Sequence, residues 1–289
     1  MKEVTIRIPA TTANLGPGYD CLGVALQIYN FVTVSRGDVG STDPMAMAAA
    51  EKFFGASDGE RFPFSWTIRG EVPRSRGLGS SVTVRLGLLL GLNALAGDPL
   101  SRERLFALCA ELEGHPDNAA PATFGGFTVA GGEEVIRFPV AGSLRFILLV
   151  PDFEVSTPAA RAVLPATLGH GAAAESSSNA CRITAAMASQ KYHLLRGSFG
   201  DQLHQPFREK ELIPFLSRVI SAAEDAGAIG GFLSGSGSTI CAVFDEASAG
   251  GDGEKISEAI GLAMLGASGQ DRARLILTRA DDWGAKFCE

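Results

Sequence analysis

Apolar Val4, Ile6 and Ile8 alternate with Thr5 and Arg7, the two-residue period of a half-buried strand, and Pro9 is expected to stop it. Residues 25–34 form a second β-like run and 64–68 a third. Between the first two lies Thr11-Thr12-Ala13-Asn14-Leu15-Gly16-Pro17-Gly18-Tyr19-Asp20, whose Gly and Pro residues demand turns. It reads as a polar, kinked loop outside the core. Residues 82–96 are apolar and Leu-rich and predict a buried helix, with Ser80 and Ser81 as candidate caps and Gly97 as its stop. Leu105, Leu108, Cys109 and Leu112 then repeat at helical spacing behind a capping Ser101, ending at Gly114 before Pro116.

Residues 123–130, 134–138 and 145–150 carry strand patterns, followed by a looser stretch through 171. Residues 179–195 read as a helix, and Leu212, Phe215, Leu216, Val219, Ile220 and Ala223 form an amphipathic stripe. A strand at 232–234, a Gly-Ser loop at 235–238, a strand at 239–244, a helix at 254–266 and a strand at 274–278 complete the chain. The mixture lacks a strict βαβ rhythm and predicts an α+β fold. A length of 289 residues fits two domains, divided as 1–150 and 151–289.

Composition narrows the function classes. With 46% hydrophobic and 20% charged residues the chain is globular rather than disordered. A net charge of −7 lacks the basic face that neutralises a phosphate backbone, so nucleic acid is not expected as a partner. An acidic protein that binds an anion must concentrate positive potential locally, in helix N-termini, backbone amides or a few Arg and Lys residues. Cys21, Cys109, Cys181, Cys241 and Cys288 are odd in number and have no metal-ligand spacing, as expected of reduced thiols in a cytoplasm. The start of the chain has no signal-peptide core, and the longest apolar stretch, 86–96, is far short of a bilayer span, so a soluble cytoplasmic protein with no membrane partner is expected.

Candidate chemistry gathers in a few segments. Pro73-Arg74-Ser75-Arg76-Gly77-Leu78-Gly79-Ser80-Ser81-Val82-Thr83 runs straight into the long helix. Its glycines let consecutive amides converge, its hydroxyls add donors and the helix N-terminus adds partial positive charge, a combination that can hold phosphate and that an ordinary capped helix start also shares. In Glu111-Leu112-Glu113-Gly114-His115-Pro116-Asp117-Asn118, groups able to bind metal, ammonium or hydroxyl crowd a helix end, and a carboxylate there suits Mg²⁺, or simply solvent. Leu233-Ser234-Gly235-Ser236-Gly237 reads alone as a hairpin turn, Asn14 and Asp20 as ligands or Asx-turn residues, and Arg182 and Arg208 as carboxylate grips or surface charges.

Taken in order, these segments resemble the GHMP kinases over nearly the whole chain. Arg76-Gly77-Leu78-Gly79-Ser80-Ser81 is similar to that superfamily's phosphate-binding motif, and Leu233 to Gly237 to its C-terminal glycine motif. The segments 9–23, 113–118, 156–161 and 203–208 resemble those of its homoserine kinase branch. The resemblance implies an N-terminal half like the second domain of ribosomal protein S5, a ferredoxin-like C-terminal half, and ATP with substrate between them. It also implies that the loop 73–83 with Gly235 and Gly237 wraps ATP, that Ser81 and Glu113 hold Mg²⁺, and that Asn14, Asp20, His115, Asn118, Arg182 and Arg208 line a pocket for L-homoserine. Asp117 stands where some relatives place a carboxylate base, and its role stays open, as does assembly, for which a homodimer is one option. The adenine is expected near residues 55–64. A GHMP kinase for a mevalonate- or shikimate-type alcohol, or a silent ligand-binding relative, is the alternative. Three departures from the pattern stand out: Val82-Thr83-Val84-Arg85 where the family has small residues, Ser238 for Pro, and Cys181 for Ser.

Overall fold

The structure, a computed structural model, describes residues 2–37, 41–57, 59–131, 134–248 and 251–288. Strand β1 (Glu3–Ala13) pairs antiparallel with β2 (Leu22–Arg36), and Pro9 does not stop it. The register shifts between Pro9 and Ala10, so a residue with no N–H to give sits at an irregularity of the ladder. The shift also exchanges faces. On one side of it Ile6, Ile8, Val32 and Val34 pack into the core under the helices, and on the other Ala10, Val24 and Leu26 belong to the core between the two sheets.

The order continues with α1 (Pro44–Ser57), β3 (Phe64–Gly70), α2 (Ser80–Ala96), α3 (Arg102–Glu113), α4 (Ala119–Phe124), β4 (Phe127–Gly131), β5 (Glu134–Phe138) and β6 (Leu144–Val150). Then come α5 (Thr157–Ala162), α6 (His170–Ala188), α7 (Gln205–Glu211), α8 (Leu216–Asp225), β7 (Gly230–Leu233), β8 (Ile240–Asp245), α9 (Gly253–Ser268), β9 (Arg274–Arg279) and β10 (Lys286–Phe287). One sheet has the order β10-β1-β2-β4-β5 with β3 also on β2, and the other β7-β8-β6-β9. Helices α1, α2 and α3 bury Phe53, Leu86, Leu89 and Phe106 on the outer face of the first sheet. Helices α8 and α9 cover the far face of the second with Val219, Ile260 and Met264. Beyond Arg145, strand β6 is apolar because Phe146 and Leu148 face the core between the sheets while Ile147 and Leu149 face α8 and α9.

Several sequence expectations change. The segment 11–20 is not an external loop: Thr11 to Ala13 extend β1, and Thr11, Thr12, Asn14 and Leu15 are buried, because their polar groups find partners inside the protein. Residues 123–126 are the end of α4 and a Gly125-Gly126 turn rather than strand, and α6 starts at His170, nine residues before the expected 179. Strand β6 pairs only with strands of the second sheet, and β10 returns to the first, so a division after residue 150 cuts the second sheet. Helix α2 begins at Ser80 with Gly79, in the left-handed region, as its N-cap and no side-chain cap. Helix α3 follows its pattern closely: Ser101 Oγ accepts from Arg104 N–H and Gly114 closes the last turn. Among the described residues no helix is long and apolar enough to cross a membrane.

Candidate active site

A cleft of about 260 Å³ opens where β1, the N-terminus of α2, the end of α3, α5 and the β7–β8 turn meet. One wall is the glycine loop. Gly77 has φ +73°, and a Cβ on it would stand 2.1 Å from the Ser234 carbonyl oxygen. Gly79 has φ +66°, and its Cβ would stand 2.1 Å from Thr11 Oγ1. No other residue fits either position without moving backbone or the buried Thr11. The first turn of α2 has no side-chain cap, and Ser80 and Ser81 line the cleft at the positive end of this 17-residue helix.

The β7–β8 turn is latched onto this loop. Thr12 Oγ1 and Ser234 Oγ lie 2.8 Å apart, Ser234 Oγ donates to the Gly77 carbonyl at 2.7 Å, and Thr239 N–H donates to the Arg76 carbonyl at 3.2 Å. Gly235 N–H donates to the Ala13 carbonyl at 3.1 Å, and Asn14 Nδ2 to the Gly235 carbonyl at 3.2 Å. Asn14 therefore braces two loops, its Oδ1 also accepting from Asp20 N–H at 3.0 Å.

Beside the helix N-terminus, Ser81 Oγ donates to Glu113 Oε2 at 2.9 Å. A hydroxyl and a carboxylate converge there on the edge of an anion-binding loop, the hard oxygen donors that Mg²⁺ prefers when phosphates complete its shell. Asp20, His115 and Asp117 also bring ligand atoms within 4.8 Å of one another, but these groups already occupy one another or Arg161. Asp117 Oδ1 accepts from the Asn118 amide N–H at 2.9 Å, from Asn118 Nδ2 at 3.2 Å and lies 2.5 Å from His115 Nδ1. Burial works against a charged His115, but the bond to Asp117 and the charges of Asp117 and Asp20 outweigh it and raise its pKa. Thr11 Oγ1 donates to Asn118 Oδ1 at 2.6 Å, which fixes the amide's orientation.

Two arginines from the second half close the cleft. Arg208 is buried and donates to the carbonyls of Ala160 at 3.1 Å and Gly235 at 2.8 Å and to His204 Nδ1 at 3.1 Å. Among the described residues no carboxylate lies within ion-pair distance of it, so its neighbours bond Nε and Nη1 but do not offset its charge. His204 is held neutral: burial pushes its pKa down to about 4, the Nε2–H donates to the Gly16 carbonyl at 2.8 Å, and Nδ1 is left as the acceptor for Arg208. Arg161 pairs with Asp20 at 2.8 Å, and the ring of Tyr19 lies 5.4 Å from the Arg161 guanidinium and 5.5 Å from that of Arg208.

The cleft thus gathers Asn14, Asp20, Ser75, Gly77, Gly79 to Val82, Glu113, His115, Asp117, Asn118, Arg208 and Gly235 from among the expected residues. Pro73, Arg74, Arg76, Leu78 and Thr83 support the loop from outside the cleft, and Gly237 packs behind Gly77. Arg182 is not there: it lies exposed on α6, with Nη2 3.4 Å from the Arg196 carbonyl. Arg161 takes its place in the cleft, and Tyr19 was equally unassigned. The signal for Arg161 was its place in the segment 156–161, which matched a family motif. The stretch 55–64 adds nothing to the cleft; Gly55 and Ala56 line a separate groove between α1 and α3, and Asp58 lies outside the described residues.

Comparison with known proteins agrees with this architecture. The GHMP kinases N terminal domain matches residues 44–126 and the GHMP kinases C terminal domain residues 185–261. Homoserine kinase of Caldicellulosiruptor bescii is 38% identical over 84% of this chain and 85% of its own length. That of Prochlorococcus marinus is 34% identical over 98% of this chain and 96% of its own. Among solved structures, homoserine kinase from Cytophaga hutchinsonii superposes with a TM-score of 0.88 at 24% identity, over 100% of this chain and 98% of that one. Mevalonate kinase from Methanococcus jannaschii gives 0.70 at 14% identity, over 96% and 98%. At such identities the superpositions speak to the fold alone.

Proposed function

Since this chain belongs to the GHMP kinases and, by similarity over most of its length, to their homoserine kinases, we propose how its cleft residues divide the work of that reaction. It phosphorylates the hydroxyl of L-homoserine with ATP, giving O-phospho-L-homoserine and ADP. The hydroxyl oxygen forms a bond to the γ-phosphorus, the bond to the bridging β–γ oxygen breaks with ADP as leaving group, and the hydroxyl proton is released to solvent.

The ATP phosphates lie along the amides of Gly77 to Ser81, at the positive end of α2, with Gly235 opposite. Ser81 and Glu113 would hold Mg²⁺, which would offset charge on the phosphate oxygens. Phosphoryl transfer through a loose transition state asks a protein mainly to align donor and acceptor and to stabilise the equatorial oxygens. Asp117 with its Oδ1 occupied by His115 and Asn118 is better suited to fixing Asn118 beside the acceptor hydroxyl than to removing the proton.

The observation that carries the substrate assignment is the buried, carboxylate-free guanidinium of Arg208 next to the Asp20–Arg161 pair. A substrate carboxylate supplies the missing negative charge at Arg208 and Arg161, while its ammonium takes Asp20. A mevalonate-like acid leaves Asp20 without a cation of its own once Arg161 has turned to the carboxylate, and a neutral sugar leaves the charge of Arg208 uncompensated.

A coupled ADP-release assay with Mg·ATP, comparing L-homoserine with mevalonate, shikimate, L-serine and L-threonine, tests the reading. Turnover on L-homoserine alone, lost in Glu113→Ala, is expected. Turnover on mevalonate or shikimate instead would overturn the acceptor assignment.

A further inference from the structure

Glu113 has two oxygens, and the structure divides them. Oε2 accepts from Ser81 Oγ at 2.9 Å on the cleft side, and Oε1 lies 2.7 Å from Arg85 Nη1. Ser81 and Arg85 are one turn apart on the same face of α2, so a single helix face grips both ends of the carboxylate. The approach of Arg85 is not aligned as a hydrogen bond: among the described residues Glu113 Oε1 and Arg85 Nε both stay without a hydrogen-bond partner. Arg85 therefore acts on Glu113 through its charge. The pair is poorly solvated, with the Glu113 side chain 8% exposed, the Arg85 side chain 24%, and the fully buried Cys109 one turn earlier on α3. In such a setting a charge a few ångströms away counts for more than it would in water. Arg85 also falls in the segment 82–85 that departs from the small residues of the family pattern.

We propose that Arg85 is a positioning residue that holds Glu113 with one oxygen toward Ser81 and, by its charge, keeps the affinity of this Ser81–Glu113 pair for a divalent cation low. The cation then enters with the nucleotide phosphates and leaves with the product instead of residing in the empty protein. The inference rests on the reading of Glu113 as the metal-holding carboxylate.

Mn²⁺ binding, followed by electron paramagnetic resonance on the nucleotide-free and ADP-loaded protein, tests it without reference to turnover. Arg85→Gln and Arg85→Met, which remove the charge, are expected to tighten Mn²⁺ binding to nucleotide-free protein about tenfold. Arg85→Lys, which keeps it, should stay within about twofold of wild type. The tightening should vanish when Glu113→Gln is added. Unchanged or weaker binding in whichever neutral variant folds, or equal tightening in Arg85→Lys, would overturn the role of Arg85. The single Glu113→Gln variant separates the two ideas. If it weakens Mn²⁺ binding to the ADP-loaded protein while the neutral Arg85 variants do not tighten binding to the nucleotide-free protein, only the Arg85 inference fails; if it changes nothing, the metal reading of Glu113 fails and takes the inference with it.

Discussion

Asp20 of the loop after β1 and Arg161 of α5 meet at 2.8 Å across the cleft, an ion pair between residues 141 positions apart. Both side chains are only about a third exposed, so neither is free to be solvated well. A zwitterionic substrate exchanges this internal pair for two external ones and leaves no charge stranded. Arg161→Leu is therefore expected to raise KM for L-homoserine by roughly 10–100-fold, the range of a charged hydrogen bond, with KM for ATP unchanged. Arg182→Leu, on the exposed face of α6, should leave both within about twofold. Steady-state kinetics with each substrate varied in turn decides the matter.

Glu113→Gln keeps the size of the side chain and removes its negative charge. Loss of kcat by about 100-fold or more is expected, in the range of other lost transition-state electrostatic contacts. Chelation of divalent cations should silence the wild-type protein, and added Mg²⁺ should restore it. Activity that survives chelation would remove the metal from the reaction.

Gly77→Ala places a methyl group against the Ser234 carbonyl in a left-handed backbone. A stability loss of at least about 2 kcal/mol is expected from strain and overlap together, with nucleotide affinity lost in parallel. Gly97→Ala is the comparison: its φ is +89° but nothing lies within 4 Å of the added Cβ, so only the backbone strain remains and the loss in Tm should be smaller. Thermal unfolding with and without ADP separates the two.

His204 gives stability a pH dependence whose sign can be stated. The unfolded chain takes up the imidazole proton near the ordinary value of 6.5 and the folded protein only near 4. Between those values the unfolded state binds more proton, so stability falls as pH drops from 6.5 toward 4, by roughly 1.4 kcal/mol per pH unit from this residue, and is unaffected by it above that window. Denaturant unfolding of His204→Gln at pH 4.5, 5.5 and 7 should show a lower stability at pH 7 and a shallower fall below it. A slope equal to that of wild type would mean that His204 is charged in the folded protein.

How much of this was legible in the sequence depended on whether a residue's partner was near in the chain. The capped helix after Ser101, the long α2 and the strands of the second sheet follow from local periodicity and punctuation, and the structure keeps them close to the expected bounds. Pro9 misled because the ladder absorbs it at a register shift that only the partner strand reveals. The segment after Pro9 looked too polar for an interior because the groups that satisfy it, Asn118 and Ser234, lie 107 and 222 positions away from Thr11 and Thr12. In the site, Ser81 with Glu113 and the glycines were readable from residue type and motif. Arg161 and Arg182 were not distinguishable by residue type, and it is the docking of α5 against the loop at Asp20 that brings Arg161 and not Arg182 into the cleft.

The latch between the β7–β8 turn and the glycine loop also bears on the order in which the protein is made. The loop emerges from the ribosome with residue 77, yet the groups that hold its backbone, Ser234 Oγ on the Gly77 carbonyl and Thr239 N–H on that of Arg76, emerge more than 150 residues later. A nascent chain stalled between residues 83 and 234 carries every backbone amide of the phosphate loop but not the clamp that shapes it. Competence to grip a nucleotide is thus an event late in translation.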